Sequence, residues 1–130
     1  MKRFFMAAVA LALCAPQPSF AHHSLSAYNI TKRVQIEGTV KQFEWSSPHC
    51  WLILTVTDPQ GKAKDWVLEA GTPVVNYRYG WKRDYFKPGD HLKVSVFPVH
   101  DGSAHGALES VTLPDGRVLE GPLSSYLKKQ

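Results

Sequence analysis

The stretch Val34-Gln35-Ile36-Glu37-Gly38-Thr39-Val40-Lys41 decides the fold class. Val34, Ile36, Gly38 and Val40 alternate with Gln35, Glu37, Thr39 and Lys41, the two-residue period of a strand with one buried and one wetted face. A glycine on the inward face contributes no packing there, so Gly38 predicts a bulge or a sharp bend, as where a strand curls into a barrel. Downstream, Phe43 and Trp45 lead to the turn residues Ser46-Ser47-Pro48. Cys50, Leu52, Leu54 and Val56 then form the apolar face of a second strand, and Asp58-Pro59-Gln60-Gly61 turns the chain into a third around Trp66 and Leu68. These three make a meander.

Thr72 and Pro73 are an N-cap and first-turn proline for a short helix, Val74 to Tyr79, which Gly80 stops. Lys87-Pro88-Gly89-Asp90 turns into a fourth strand with Leu92, Val94 and Val96 inward. After Asp101-Gly102 come a fifth strand, Ala107 to Leu113, the turn Pro114-Asp115-Gly116 and a last short strand, Arg117 to Glu120. Three strands, a helix, then two or three strands is the order of an OB-type barrel. The expected fold is therefore all-β with one short helix, a small five- to six-stranded OB-like barrel. An open β-sandwich is the alternative. Residues 122–130 read as a flexible tail.

Upstream of Val34 the pattern changes character. Lys2 and Arg3 precede an apolar run from Phe4 to Cys14, and Ala15 to Ala21 ends in small residues at Ser19 and Ala21. This is the build of a signal peptide, residues 1–21, too short to span a bilayer as a helix. Cys14 raises a lipoprotein reading, which Leu13 opposes because a small residue is expected there. Cleavage after Ala21 leaves 109 of the 130 residues, one domain (22–121) with its tail, and places it in the periplasm. Losing Lys2 and Arg3 leaves thirteen basic against eleven acidic residues, so net charge falls from +4 to +2. A balance that mild does not point to nucleic acid, and no membrane insertion is expected after cleavage. Cys50 is then the sole cysteine, and the fold has to be held by packing.

The His-His-Ser start at His22, Glu44-Trp45 with Pro48-His49-x-Trp51, Gly80-Trp81-x-Arg83, Lys87-Pro88-Gly89-Asp90 and the late Leu-Pro-Asp-Gly together resemble one family. It is a family of small exported proteobacterial proteins of unknown function. The likeness runs from His22 to about Gly121 and implies an exported β-barrel, but no activity.

Chemistry has to come from the residues themselves. A mature terminus at His22 offers the amine, two imidazoles and the intervening amide within a few bonds. Imidazole suits copper, zinc and nickel, and copper(II) stands highest in the affinity order. His49, after the first loop, and His100 and His105, on the loop between strands four and five, flank the usual ligand face of such a barrel and are candidate further ligands. The competing reading makes them ordinary loop histidines, with His49 bonding a carbonyl and orienting Trp51.

A Cys50–His49 nucleophile is disfavoured, because neighbours in a strand point to opposite faces. Cys50 shares parity with Leu52 and is expected to be core. Trp45 and Trp51 bracket His49 and offer flat rings for an organic ligand or a partner's side chain; the competing reading is core packing. Arg83 is a minority candidate for holding a ligand anion. Glu44 and Glu69 lie near the same face without an evident acid–base partner.

No phosphate loop, Cys-x-x-Cys or nucleophile elbow is present. The sequence thus reads as a periplasmic binding module rather than an enzyme. The leading form binds a metal ion, copper first, through His22, His23 and His49. The alternative is a metal-free ligand- or protein-binding accessory of an envelope system, using Trp45, Trp51 and Arg83.

Overall fold

The computed structural model describes residues 25–127; the expected leader, residues 1–21, and the His22-His23 pair lie outside the described residues. Among them are six strands, β1 (Val34–Glu44), β2 (Trp51–Thr57), β3 (Ala63–Glu69), β4 (His91–Pro98), β5 (His105–Thr112) and β6 (Val118–Glu120). Two six-residue helices, α1 (Pro73–Arg78) and α2 (Pro122–Leu127), join them.

The expected barrel is present. β1 pairs antiparallel with β4 through Val34–Thr39 and with β2 through Thr39–Glu44, so one long strand serves both halves of the wall. Gly38 sits at the handover. A Cβ there would lie 2.8 Å from the Thr55 carbonyl oxygen, so only glycine lets β1 pass this closely. What Gly38 supplies is this close approach, while the irregularity expected there falls slightly later, as a register shift between Val40 and Gln42.

The sheet order β3-β2-β1-β4-β5-β6 is closed by a parallel pairing of β3 with β5, Val67 opposite His105 and Glu69 opposite Ala107. That closure removes the open sandwich as an alternative. β6 adds a short strand beyond the five-stranded barrel.

Strand alternation fills the interior. Leu52, Leu54, Leu68, Leu92, Val94 and Val96 are all buried, and Cys50 is fully buried with them, as its parity predicts. Trp81, fully buried, plugs the barrel and donates its indole Nε1–H to the Glu120 carbonyl at 2.9 Å. Large rings contribute most per residue to such a core.

α1 forms as its capping residues dictate. The Thr72 hydroxyl accepts from the Val75 amide at 3.2 Å, Pro73 opens the first turn, and Gly80 follows at φ 83°.

The tail reading needs correction over 122–127. These residues are α2, packed on β5, with the Ser124 side chain buried. Six residues carry too little periodicity to announce a helix, and tertiary packing supplies the stability that local propensity lacks.

Candidate functional site

Parity on the strands defines an outward wall. Trp51 stands opposite Glu69, and Val67 opposite His105, in register positions that alternate with buried Leu52 and Leu68. Trp51, Val67, Glu69 and His105 therefore share the outer face of β2, β3 and β5. Two segments cross this face. The chain before β1 arrives through Tyr28, which bridges to Val99, while the Asn29 amide donates to the Pro98 carbonyl at 2.8 Å. α2 covers the neighbouring part of β5.

At the centre lies a relay of three side chains from three parts of the chain. The Tyr28 hydroxyl donates to Glu69 Oε2. Glu69 Oε1 lies 3.0 Å from His49 Nδ1, within ion-pair distance but without the alignment of a full hydrogen bond. The Glu69 side chain is only 11% exposed and that of His49 23%, so solvent screens the contact weakly. A carboxylate this close favours the tautomer with its proton on Nδ1. Burial, followed by the hydrogen bond and the charge of Glu69, holds the Tyr28 phenol well above the ordinary tyrosine range.

Two cavities flank the relay and share Tyr28 as a common wall. The first, of about 270 Å³, contains His49 and Glu69 and is otherwise walled largely by apolar groups, among them Val75, Leu108 and Leu123. The second, of about 300 Å³, is lined by Trp51 and Val67 on one side and by Asp101 and His105 on another.

The residues expected from sequence distribute as follows. His49 faces the first cavity and His105 the second. His100 is exposed on the β4–β5 turn and lines neither, so the three loop histidines do not converge. Among the described residues no group of three or more His, Cys, Asp and Glu side chains is arranged to hold a metal.

Trp45 and Trp51 do not share a face. Trp51 pairs with Glu44 on the outer wall, whereas Trp45, one residue on, packs its ring edge-on against Phe43 at 6.0 Å, beside the core. Arg83 is exposed and lines neither cavity.

The Cys50 thiol points inward, with burial raising its pKa, away from His49 and its carboxylate. Tyr28, and the pairing role of Glu69, were not visible in the sequence. Glu69 interrupts the apolar run Val67-Leu68…Ala70 at an outward position, which was the one available signal.

Comparison with known proteins assigns a family but no chemistry. A family model described as a family of unknown function (DUF6152) matches residues 10–109. The chain belongs to this family. No curated protein matches it significantly. Among solved structures it is similar to the mitochondrial single-stranded DNA binding protein Rim1 of S. cerevisiae at 11% identity. That match covers 69% of this chain and 95% of the other, with a TM-score of 0.47.

Proposed function

Starting from a family without an assigned activity, we propose that the chain is an exported binding module taking one metal ion, copper first. Its ligands are His49 and the processed amino terminus at His22 and His23. The observation that carries this reading is the Tyr28–Glu69–His49 relay. A histidine whose Nδ1 lies 3.0 Å from a carboxylate, itself anchored by a further donor, has the kind of outer support that orients metal-ligating imidazoles.

The anchoring donor belongs to the very segment that bears the histidine pair. His23 precedes Tyr28 by five residues, and an extended chain spans about 3.3–3.6 Å per residue, so the pair is tethered within roughly 20 Å of Tyr28. Two neighbouring imidazoles and a free amine then complete a set to which the described residues contribute His49. Periplasmic storage, delivery or detoxification of copper are the roles such a site serves.

The test is intact mass combined with metal content, on untagged protein purified from the periplasm. A chain beginning at His22 with near-stoichiometric copper supports the reading, and His49→Ala should then lose the metal. The same terminus without metal, even after copper challenge and a mild chelator wash, overturns it.

A second reading is favoured by one observation, the cavity beside Trp51. In it the module holds a small organic ligand or a partner's side chain on the outer wall without metal. Trp51→Ala then abolishes capture while copper has no effect on it.

A further inference from the structure

The second cavity has a composition that the copper reading does not use. Two rings, Tyr28 and Trp51, line it together with the apolar Val67 and Val99. Its polar side is made by Asp101, Ser103 and His105 at the start of β5 and the turn before it. The Asp101 carboxylate accepts the Ser103 amide at 2.8 Å, and the Ser103 hydroxyl, followed by this amide, holds its pKa below the usual carboxylate range. A carboxylate has lone pairs for several donors, so one turn hydrogen bond does not exhaust it.

Charge is segregated here. The chain has fifteen Lys and Arg against eleven acids, yet among the described residues no Lys or Arg lines either cavity, while Asp101 lines one and Glu69 the other.

We propose that this cavity binds a small organic cation of the alkylammonium class, with its alkyl groups against Trp51 and Tyr28 and its charge facing Asp101. An aromatic face carries a negative quadrupole that attracts a soft, weakly hydrated cation, and indole is the strongest such face. An anionic ligand would meet a carboxylate and no lysine or arginine, His105 being the one basic side chain in the lining. A bare metal ion needs several hard or imidazole donors at short range, and no such group is formed among the described residues. A volume of about 300 Å³ sits at the small end of ligand pockets and admits a head of a few carbons, not a large amphiphile. The inference rests on the second functional reading, to which it adds the ligand class, and is independent of copper at His49.

The experiment uses the exported protein, stripped of metal by a chelator. Choline is compared with 3,3-dimethylbutan-1-ol, its uncharged counterpart of the same shape. The readout is the shift of the Trp51 indole N–H in the two-dimensional proton–nitrogen spectrum, assigned by its loss in Trp51→Leu. Choline at millimolar concentration should move this resonance in a saturable way. The alcohol should bind at least roughly tenfold more weakly, the scale of a cation–ring contact.

Asp101→Asn lies on an exposed turn and keeps a side-chain oxygen for Ser103, so it should leave the fold intact, weaken choline and bring the two ligands together. No shift with choline, equal affinity for the alcohol, or unchanged choline binding in Asp101→Asn would each overturn the proposal. Copper binding is measured separately. A null result with choline beside tight copper removes the cation site alone, and choline binding without any copper removes the metal reading alone.

Discussion

Tyr28, Glu69 and His49 set the limit of what single residues reveal. Glu69 is visible in the sequence as an acid at an outward strand position, but its donor lies 41 residues away on a segment with no strand pattern of its own. Parity tells which face a side chain takes, not what crosses over it. His49 is legible as a candidate because imidazole is rare and chemically marked; its carboxylate is not, because that contact exists only once β2 and β3 pair.

The Tyr28 phenol makes the relay testable. Its folded pKa is raised, chiefly by burial and then by Glu69, above the value of about 10 in an unfolded chain. Its contribution to stability is therefore fully present below about pH 10 and is lost as pH rises toward the folded value, because the unfolded state releases its proton first. Tyr28→Phe should cost about 1–2 kcal/mol at neutral pH, the worth of a hydrogen bond to a charged acceptor in a partly exposed place. The gap between wild type and variant should narrow in strongly alkaline solution. Urea midpoints for both proteins, measured at neutral pH and above pH 10, check this; a constant gap would mean that Tyr28 does not bond Glu69.

At the level of elements, the strands and α1 were legible because each has its own local signal: alternation, turn residues or a capping pair. α2 had none. It depends on Gly121, where a Cβ would lie 2.1 Å from the Leu108 carbonyl oxygen, and whose amide donates to the Glu109 carbonyl at 2.7 Å. Gly121→Ala should force the chain off β5 and lift α2, costing about 1–3 kcal/mol as overpacking does. Amide exchange at 123–127 should rise while β1 to β4 stay protected. Unchanged protection there would show that β5 yields instead.

α1 is held differently. Asn76 is fully buried and closes two hydrogen bonds with Gly71, accepting from its amide and donating to its carbonyl, both at 3.0 Å. Sequence rules treat a mid-helix asparagine as neutral to unfavourable, since they do not see the strand end it clamps. Asn76→Ala leaves both Gly71 groups without this partner and should cost about 2–4 kcal/mol, read as a drop in thermal midpoint of about 10 °C or more for a domain this size.

Across the whole molecule, the barrel could be inferred because strand count, helix position and a glycine in the longest strand agree with one another. The closing β3–β5 pair could not, because parallel neighbours far apart in sequence leave no local trace. That closure brings His105 beside Val67 and gives the wall on which Tyr28 lies, so the site depends on the one feature of the barrel hardest to read. Trp45 and Trp51, adjacent to the same loop and alike in chemistry, end on opposite sides of the wall for the same reason.

The copper proposal joins the amino terminus to His49 across this architecture, and the coupling between them measures it. Four proteins are compared for copper affinity: the chain beginning at His22, the chain retaining Ala21 so that the amine is displaced, His49→Ala, and the combination. If terminus and His49 hold one ion together, each single change weakens binding strongly and the combination loses much less than the product of the two, because the second ligand has nothing left to contribute. If they act at separate places, the losses multiply, or His49→Ala has no effect at all. Residues in contact through a shared ligand couple by about 0.5–3 kcal/mol, well above the few tenths expected of independent positions. A coupling below that range would leave the terminal histidines as an isolated copper-binding peptide and return His49 to the role of orienting its own loop.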